Sequence, residues 1–190
     1  IIINDASKYD LPDLEKSLEN IDSIKVINMN INQGHARSIA VGLKYIFEKE
    51  EFDYAIPMDG DGEDRPEEIE MFLAQVENFK GKTFVGERIK RSENIVFKIC
   101  YQIHKLITLV FTGKLIKFGN YTCLPKSTVE KLVNEKATWN SFSGSLKKIE
   151  NDLISISSTR GNRYFGPSKM SFINLIKHSL SIISVFRKTF

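Results

Sequence analysis

Cysteine is scarce in this chain. Two occur among 190 residues, Cys100 and Cys123, far apart and without the spacing of a metal site. That usage points to a reducing compartment. Long apolar runs are also missing: no uninterrupted stretch reaches the length of a bilayer span, and there is no signal-peptide pattern. Charge of one sign is nearly absent as an excess. Lys and Arg number 27 against 24 Asp and Glu, and a net charge of +3 is too small to argue for nucleic acid as a partner. Internal repeats, low-complexity tracts and linkers are lacking as well. What remains is 42% hydrophobic and 27% charged, an ordinary balance for one well-packed globular domain of this length.

The chain opens on Ile1-Ile2-Ile3, without an initiator Met, and reaches Asp5 at once. It reads as a fragment whose first strand precedes the sequence given. Ile1–Ile3 is then a buried strand, and Asn4-Asp5-Ala6-Ser7 the loop at its carboxyl end. A helix is expected over Leu11–Asn20, with Pro12 in its first turn. A strand follows at Ile24–Asn28 and a turn at Asn32-Gln33-Gly34. Ile39, Leu43, Ile46 and Phe47 recur at helical spacing within His35–Glu50. Tyr54–Met58 reads as a third strand, Pro66–Asn78 as a helix and Thr83–Gly86 as a fourth strand. Strands alternating with helices predict a doubly wound, mostly parallel α/β sheet. Later come a helical candidate over Asn94–Thr112, a strand over Phe118–Leu124, a short helix over Ser127–Asn134 and a strand over Leu153–Ser158. Arg160–Lys169 is a basic loop, and Ser171–Phe186 an amphipathic helix with a basic end. Residues 1–170 form the expected domain and 171–190 the C-terminal helix.

The densest chemistry lies in Asp59-Gly60-Asp61-Gly62-Glu63-Asp64-Arg65-Pro66. An apolar strand ends there in alternating carboxylates, and Pro66 opens a helix. Ligands of open α/β sheets bind at the carboxyl ends of strands. Three hard oxygen donors on one loop suit Mg²⁺ or Mn²⁺ held jointly with a phosphate. An EF-hand loop is excluded: it needs Gly where Asp64 stands, and the preceding segment is a strand. The alternative is a solvated acidic turn.

Five features occur in order: the Asp5–Ser7 loop, Asn32-Gln33-Gly34-His35-Ala36 at a helix start, Asp59-Gly60-Asp61, Gly86-Glu87-Arg88, and Arg163-Tyr164-Phe165-Gly166-Pro167-Ser168-Lys169. Together they resemble the family 2 glycosyltransferases of the GT-A fold, on the polyprenyl-phosphate branch typified by dolichyl-phosphate mannose synthase. The resemblance covers nearly the whole chain. It implies a Rossmann-like sheet flanked by helices and a nucleotide-sugar donor. Asp5 then accepts hydrogen bonds from the nucleobase, with Ser7, Gly34 and Asp59 also on the donor side. It implies that Asp59, Asp61 and Glu63 hold Mg²⁺ or Mn²⁺, with Glu63 standing where that branch often has Gln. Asp61 and Arg88 are the implied catalytic pair, Arg88 clamping phosphate oxygens. Arg163, Ser168 and Lys169 face the acceptor phosphate or the donor diphosphate, and Arg160 adds to the same field. Each has a plainer reading. Asp5 can cap its own loop, Gly34 can serve a turn, Arg88 can pair with Glu87, and the basic loop can be simply solvated.

Acceptor chemistry separates the readings. A lipid phosphate is already anionic, whereas a hydroxyl acceptor needs a carboxylate base nearby. Many family members carry that base in an acidic pair in the second half. Here the stretch Trp139–Ser145 holds no acid, which favours the phosphate acceptor, with Asp152 as the alternative base. His35 reads as a solvated helix start, or as a phosphate donor. Ser171–Phe186 can rest on a membrane surface or pack on the domain. The expected reaction is therefore metal-dependent transfer of a sugar from a nucleotide sugar to a polyprenyl phosphate at the cytoplasmic membrane face. The rivals are transfer to a glycan or other hydroxyl, and a non-catalytic nucleotide-sugar-binding or membrane-associated scaffold.

Overall fold

Phe84 and Val85 are neighbours in sequence, and strand alternation sends them to opposite faces. They lie in β4 (Thr83–Arg88), and each founds a separate core layer. The structure, a computed structural model, describes residues 1–8, 20–88, 102, 106, 109–110, 113, 115–164 and 172–186. On one face Val85 packs with Ala55, Leu124, Leu43, Val129, Leu132, Phe142 and Leu146. On the other, Phe84 packs with Phe72, Tyr121 and Cys123. Burial pushes the Cys123 thiol up to about 11, so it behaves as an inert core side chain.

The remaining elements follow the expected order. β1 (Ile2–Asn4) and β2 (Val26–Asn28) pair in parallel, with Ile3 opposite Ile27. The helix α1 spans His35–Lys49, directly after Gly34 as expected. β3 is only Tyr54–Ala55 rather than Tyr54–Met58. Pro57 explains the early end, because it has no N–H to give a ladder. A 3₁₀ turn over Pro66–Glu68 leads into α2 (Ile69–Asn78). β5 (Phe118–Pro125) is followed by α3 (Lys126–Asn134) and a 3₁₀ turn at Lys136–Trp139. Then come α4 (Phe142–Ile149), β6 (Leu153–Ser158) and α5 (Phe172–Phe186). The helix α4 has no counterpart among the expected elements. Ser141 caps it, accepting from the Gly144 N–H at 3.2 Å.

The main sheet has the order β3-β5-β4-β6. β5 runs antiparallel to both β3 and β4, and β6 runs parallel to β4. β3, β4 and β6 therefore share one direction, and their carboxyl ends open on one edge. β5 is the reversed strand in an otherwise parallel-running set. The C-terminal half of α5 buries Ile182, Val185 and Phe186 against Ile116, Phe118 and Ala137. The expected helix over Leu11–Asn20 falls almost entirely outside the described residues, as does most of Asn94–Thr112.

Candidate active site

The carboxylate loop folds on its own side chains. The Glu63 N–H donates to Asp61 Oδ1 at 3.0 Å, an Asx turn, and the Asp59 N–H donates to Asp64 Oδ2 at 2.9 Å. Asp64 is buried and closes the loop from within. Gly62 takes φ +89°, which an L side chain resists.

Asp59 ends the strand segment after β3. Extending the β3–β5 register, in which Tyr54 faces Pro125 and Ala55 faces Leu124, puts Asp59 opposite Asn120. The contact is made: the Asn120 amide donates to Asp59 Oδ1 at 3.2 Å and lies 2.7 Å from His35 Nε2. His35 Nε2 is itself 2.9 Å from Asp59 Oδ1. Burial opposes charging of this imidazole, but the Asp59 hydrogen bond and the Asp59, Asp64 and Asp61 carboxylates outweigh it, and the His35 pKa is raised.

The Asp5 loop joins the same assembly through α1. Asp5 Oδ1 accepts from the Gln33 N–H at 2.7 Å and Oδ2 from the Gly34 N–H at 2.8 Å. Asn32 Nδ2 donates to the Asp5 carbonyl at 2.8 Å. Asp5 thus caps the approach to α1, and each oxygen keeps a second lone pair for a ligand. Ser7 donates its N–H to Asn4 Oδ1 at 3.0 Å, closing the loop. Ala6 sits at φ 52°, a left-handed conformation that costs strain and recurs at functional loops.

From the far end of the chain, the segment after β6 lies across the carboxylates. The Gly161 N–H donates to the Glu63 carbonyl and the Tyr164 N–H to the Asp61 carbonyl, both at 2.9 Å. Arg163 Nη2 stands 2.9 Å from Asp61 Oδ2, and its Nε 3.0 Å from Glu63 Oε1. Arg160 Nη2 pairs with Glu63 Oε2. Burial holds the Arg160 pKa below the usual guanidinium range. Glu68, also buried, fixes the start of this segment, accepting from Ser158 Oγ at 2.7 Å and the Thr159 N–H at 2.8 Å. Tyr121 Oη donates to the Arg65 carbonyl at 2.6 Å, and burial, with Glu68 nearby, raises its pKa.

The structure therefore brings Asp5, Gly34, Asp59, Asp61, Glu63 and Arg163 together. Arg88 ends β4 opposite Ser158 in the parallel register, so its backbone reaches the same edge. Ser168 and Lys169 lie outside the described residues. His35, Asn120 and Asp64 are additions. His35 at a helix start is a readable signal, but its partner Asp59 is not. Asp152, the alternative base, precedes β6 at the opposite sheet edge and pairs with Lys82.

Asp59, Asp61 and Glu63 are hard oxygen donors and fit Mg²⁺ or Mn²⁺ in chemical type. Among the described residues no three His, Cys, Asp or Glu side chains already converge as a metal cluster. Asp59 turns to His35 and Asn120, while Asp61 and Glu63 turn to the arginines. Asp64 turns inward instead, accepting from the Asp59 N–H.

The mixed α/β sheet, with an acidic loop and a basic strap at the carboxyl ends of its strands, agrees with the GT-A fold of the family that the sequence matches. The glycosyl transferase family 2 model matches residues 1–142, and the chain belongs to that family. A curated relative is the undecaprenyl-phosphate 4-deoxy-4-formamido-L-arabinose transferase of Proteus mirabilis (strain HI4320), 25% identical over 182 residues. That alignment covers 93% of this chain and 54% of the relative, so the chain spans about half the relative's length.

Proposed function

We propose that the full-length protein transfers a sugar from a nucleotide sugar to a polyprenyl phosphate. The observation that carries this reading is the strap after β6. It brings two arginines, Arg160 and Arg163, onto the carboxylate loop, so anion-binding and cation-binding groups share one edge. The relative's name, an undecaprenyl-phosphate sugar transferase, supports a lipid-phosphate acceptor.

In this reading Asp59 and Asp61 hold Mg²⁺ or Mn²⁺ with the donor diphosphate, beside Glu63. Bound there, such an ion supplies counter-charge for the departing diphosphate. Asp5, Ser7 and Gly34 border the nucleoside side of the donor. Arg163, with Arg88, Ser168 and Lys169, receives phosphate oxygens. The acceptor phosphate is its own nucleophile, which agrees with the acid-free stretch Trp139–Ser145. That stretch is spent on capping and packing α4, where Ser143, Gly144 and Ser145 are buried. The exposed Ile176 and Leu180 of α5, one helical turn apart, support a headgroup-level contact at the cytoplasmic membrane face. Among the described residues no helix is long and apolar enough to cross a membrane.

The test is sugar transfer by the full-length protein to a short-chain polyprenyl phosphate, compared with the same lipid as a free alcohol, across nucleotide sugars and with Mn²⁺ or EDTA. Transfer to the phosphate alone, lost in EDTA and impaired in Arg163→Ala, is expected. Efficient transfer to the alcohol, insensitive to Arg163, overturns the lipid-phosphate reading.

A further inference from the structure

Glu63 is an enclosed carboxylate against the strap, with its side chain about 10% exposed. Both of its oxygens are committed to guanidiniums: Oε1 to Arg163 Nε at 3.0 Å, and Oε2 to Arg160 Nη2. Its backbone carbonyl accepts from the Gly161 N–H at 2.9 Å, between the two arginines in sequence. One residue therefore grips the strap by main chain and side chain together. Gly161 makes this approach possible, because a Cβ there would strike the Gly62 carbonyl.

Two guanidiniums drawn into one partly buried site repel each other and lose hydration, and burial already weighs on Arg160. A carboxylate between them offsets both costs and fixes their spacing. Arg163 also spans two acids, holding Asp61 through Nη2 and Glu63 through Nε.

We propose that Glu63 is a positioning residue rather than a metal ligand: it holds Arg160 and Arg163 as a preorganised pair that receives the oxygens of a diphosphate or phosphate monoester. The assignment rests on the functional reading above. It goes beyond that reading in giving Glu63 the opposite partner, the cations of the protein. Preorganised charged donors strengthen anion binding because less ordering remains to be done on contact.

The experiment separates the two roles. Pyrophosphate is titrated by calorimetry into the full-length protein in EDTA, and Mn²⁺ binding is followed separately by electron paramagnetic resonance. Glu63→Gln, close in shape but neutral, is expected to weaken metal-free pyrophosphate binding by about tenfold or more, the worth of one charge-assisted hydrogen bond. Mn²⁺ affinity is expected to stay within about threefold, short of the roughly 10- to 100-fold cost of mutating even a group that orients a metal ligand. Combined with Arg163→Gln, it should add little to the loss seen in Arg163→Gln alone. Unchanged pyrophosphate binding in Glu63→Gln overturns the proposal, with or without a fall in Mn²⁺ affinity. A wild-type protein that binds no pyrophosphate, with or without Mn²⁺, overturns the functional reading as well. If Glu63→Gln does not fold, Arg160→Gln and Arg163→Gln carry the test: each must weaken metal-free pyrophosphate binding, and unchanged binding in either overturns the paired-arginine role.

Discussion

His35 Nε2 stands 2.9 Å from Asp59 Oδ1, and this contact joins two loops that leave different strands. Asp5 holds the Gly34 N–H, Gly34 precedes His35, and His35 meets Asp59, so the Asp5 loop and the carboxylate loop are linked through the start of α1. An outer partner that orients a metal-binding carboxylate typically matters by about 10- to 100-fold in metal affinity. If Asp59 holds the metal as proposed, His35→Ala in the full-length protein should weaken Mn²⁺ binding by about that factor, read by electron paramagnetic resonance. Unchanged affinity would return His35 to a solvated helix start.

Asp5 carries a different expectation. Its two oxygens accept from consecutive backbone amides, so its removal leaves two donors without their acceptor. Asp5→Ala should cost about 1–3 kcal/mol of stability, and Asp5→Asn, which keeps one acceptor oxygen, should cost less. Urea denaturation with an unchanged slope measures this directly. Nucleotide affinity should fall in the same variants. Lost affinity at full stability would make Asp5 a ligand contact alone.

Asp61 divides its carboxylate between loop and strap. Oδ1 accepts from the Glu63 N–H, and Oδ2 faces Arg163. Asp61→Asn keeps an acceptor for the turn but loses the charge. The loop should survive, while sugar transfer falls by orders of magnitude for want of counter-charge at the leaving group. Rates near wild type across a Mn²⁺ series would remove Asp61 from the site.

How much of this was legible depends on the range of each interaction. The carboxylate loop, the Gly34 helix start and β6 announce themselves through local patterns of a few residues. The direction of β5 does not. Phe118–Leu124 reads as a strand, but an apolar run carries no arrow, and the reversal is set by pairing with both β3 and β4. The helix α4 was hidden by Ser143, Gly144 and Ser145, poor helix formers that suit a tightly packed site: a Cβ on Gly144 would lie 3.2 Å from Val185. The Ser141 cap was its one local sign. Partners were the least legible. Arg163 and Glu63 are 100 residues apart, and Asn120 and Asp59 are 61 apart. Only the folded sheet, with the ends of β3 and β6 on one edge, brings them together.

Gly62 offers the sharpest test of that strap. Its φ of +89° disfavours any side chain, and an added Cβ would stand 2.8 Å from three ring carbons of Tyr164. Gly62→Ala therefore meets two separate obstacles. The backbone conformation costs about 1–3 kcal/mol. The ring is exposed and free to swing aside, but Tyr164 follows Arg163 directly, so moving it disturbs the guanidinium on Asp61 and Glu63. In a chain of this size each kcal/mol shifts the melting temperature by about 2–4 °C. Gly62→Ala should lower the Tm by several degrees and weaken metal-free pyrophosphate binding. Adding Tyr164→Ala removes the steric obstacle but not the backbone one. The double variant should regain pyrophosphate affinity while its Tm stays low. If stability and binding recover together, the clash alone governs the loop; if Gly62→Ala changes neither, the strap does not bear on the carboxylates as the geometry requires.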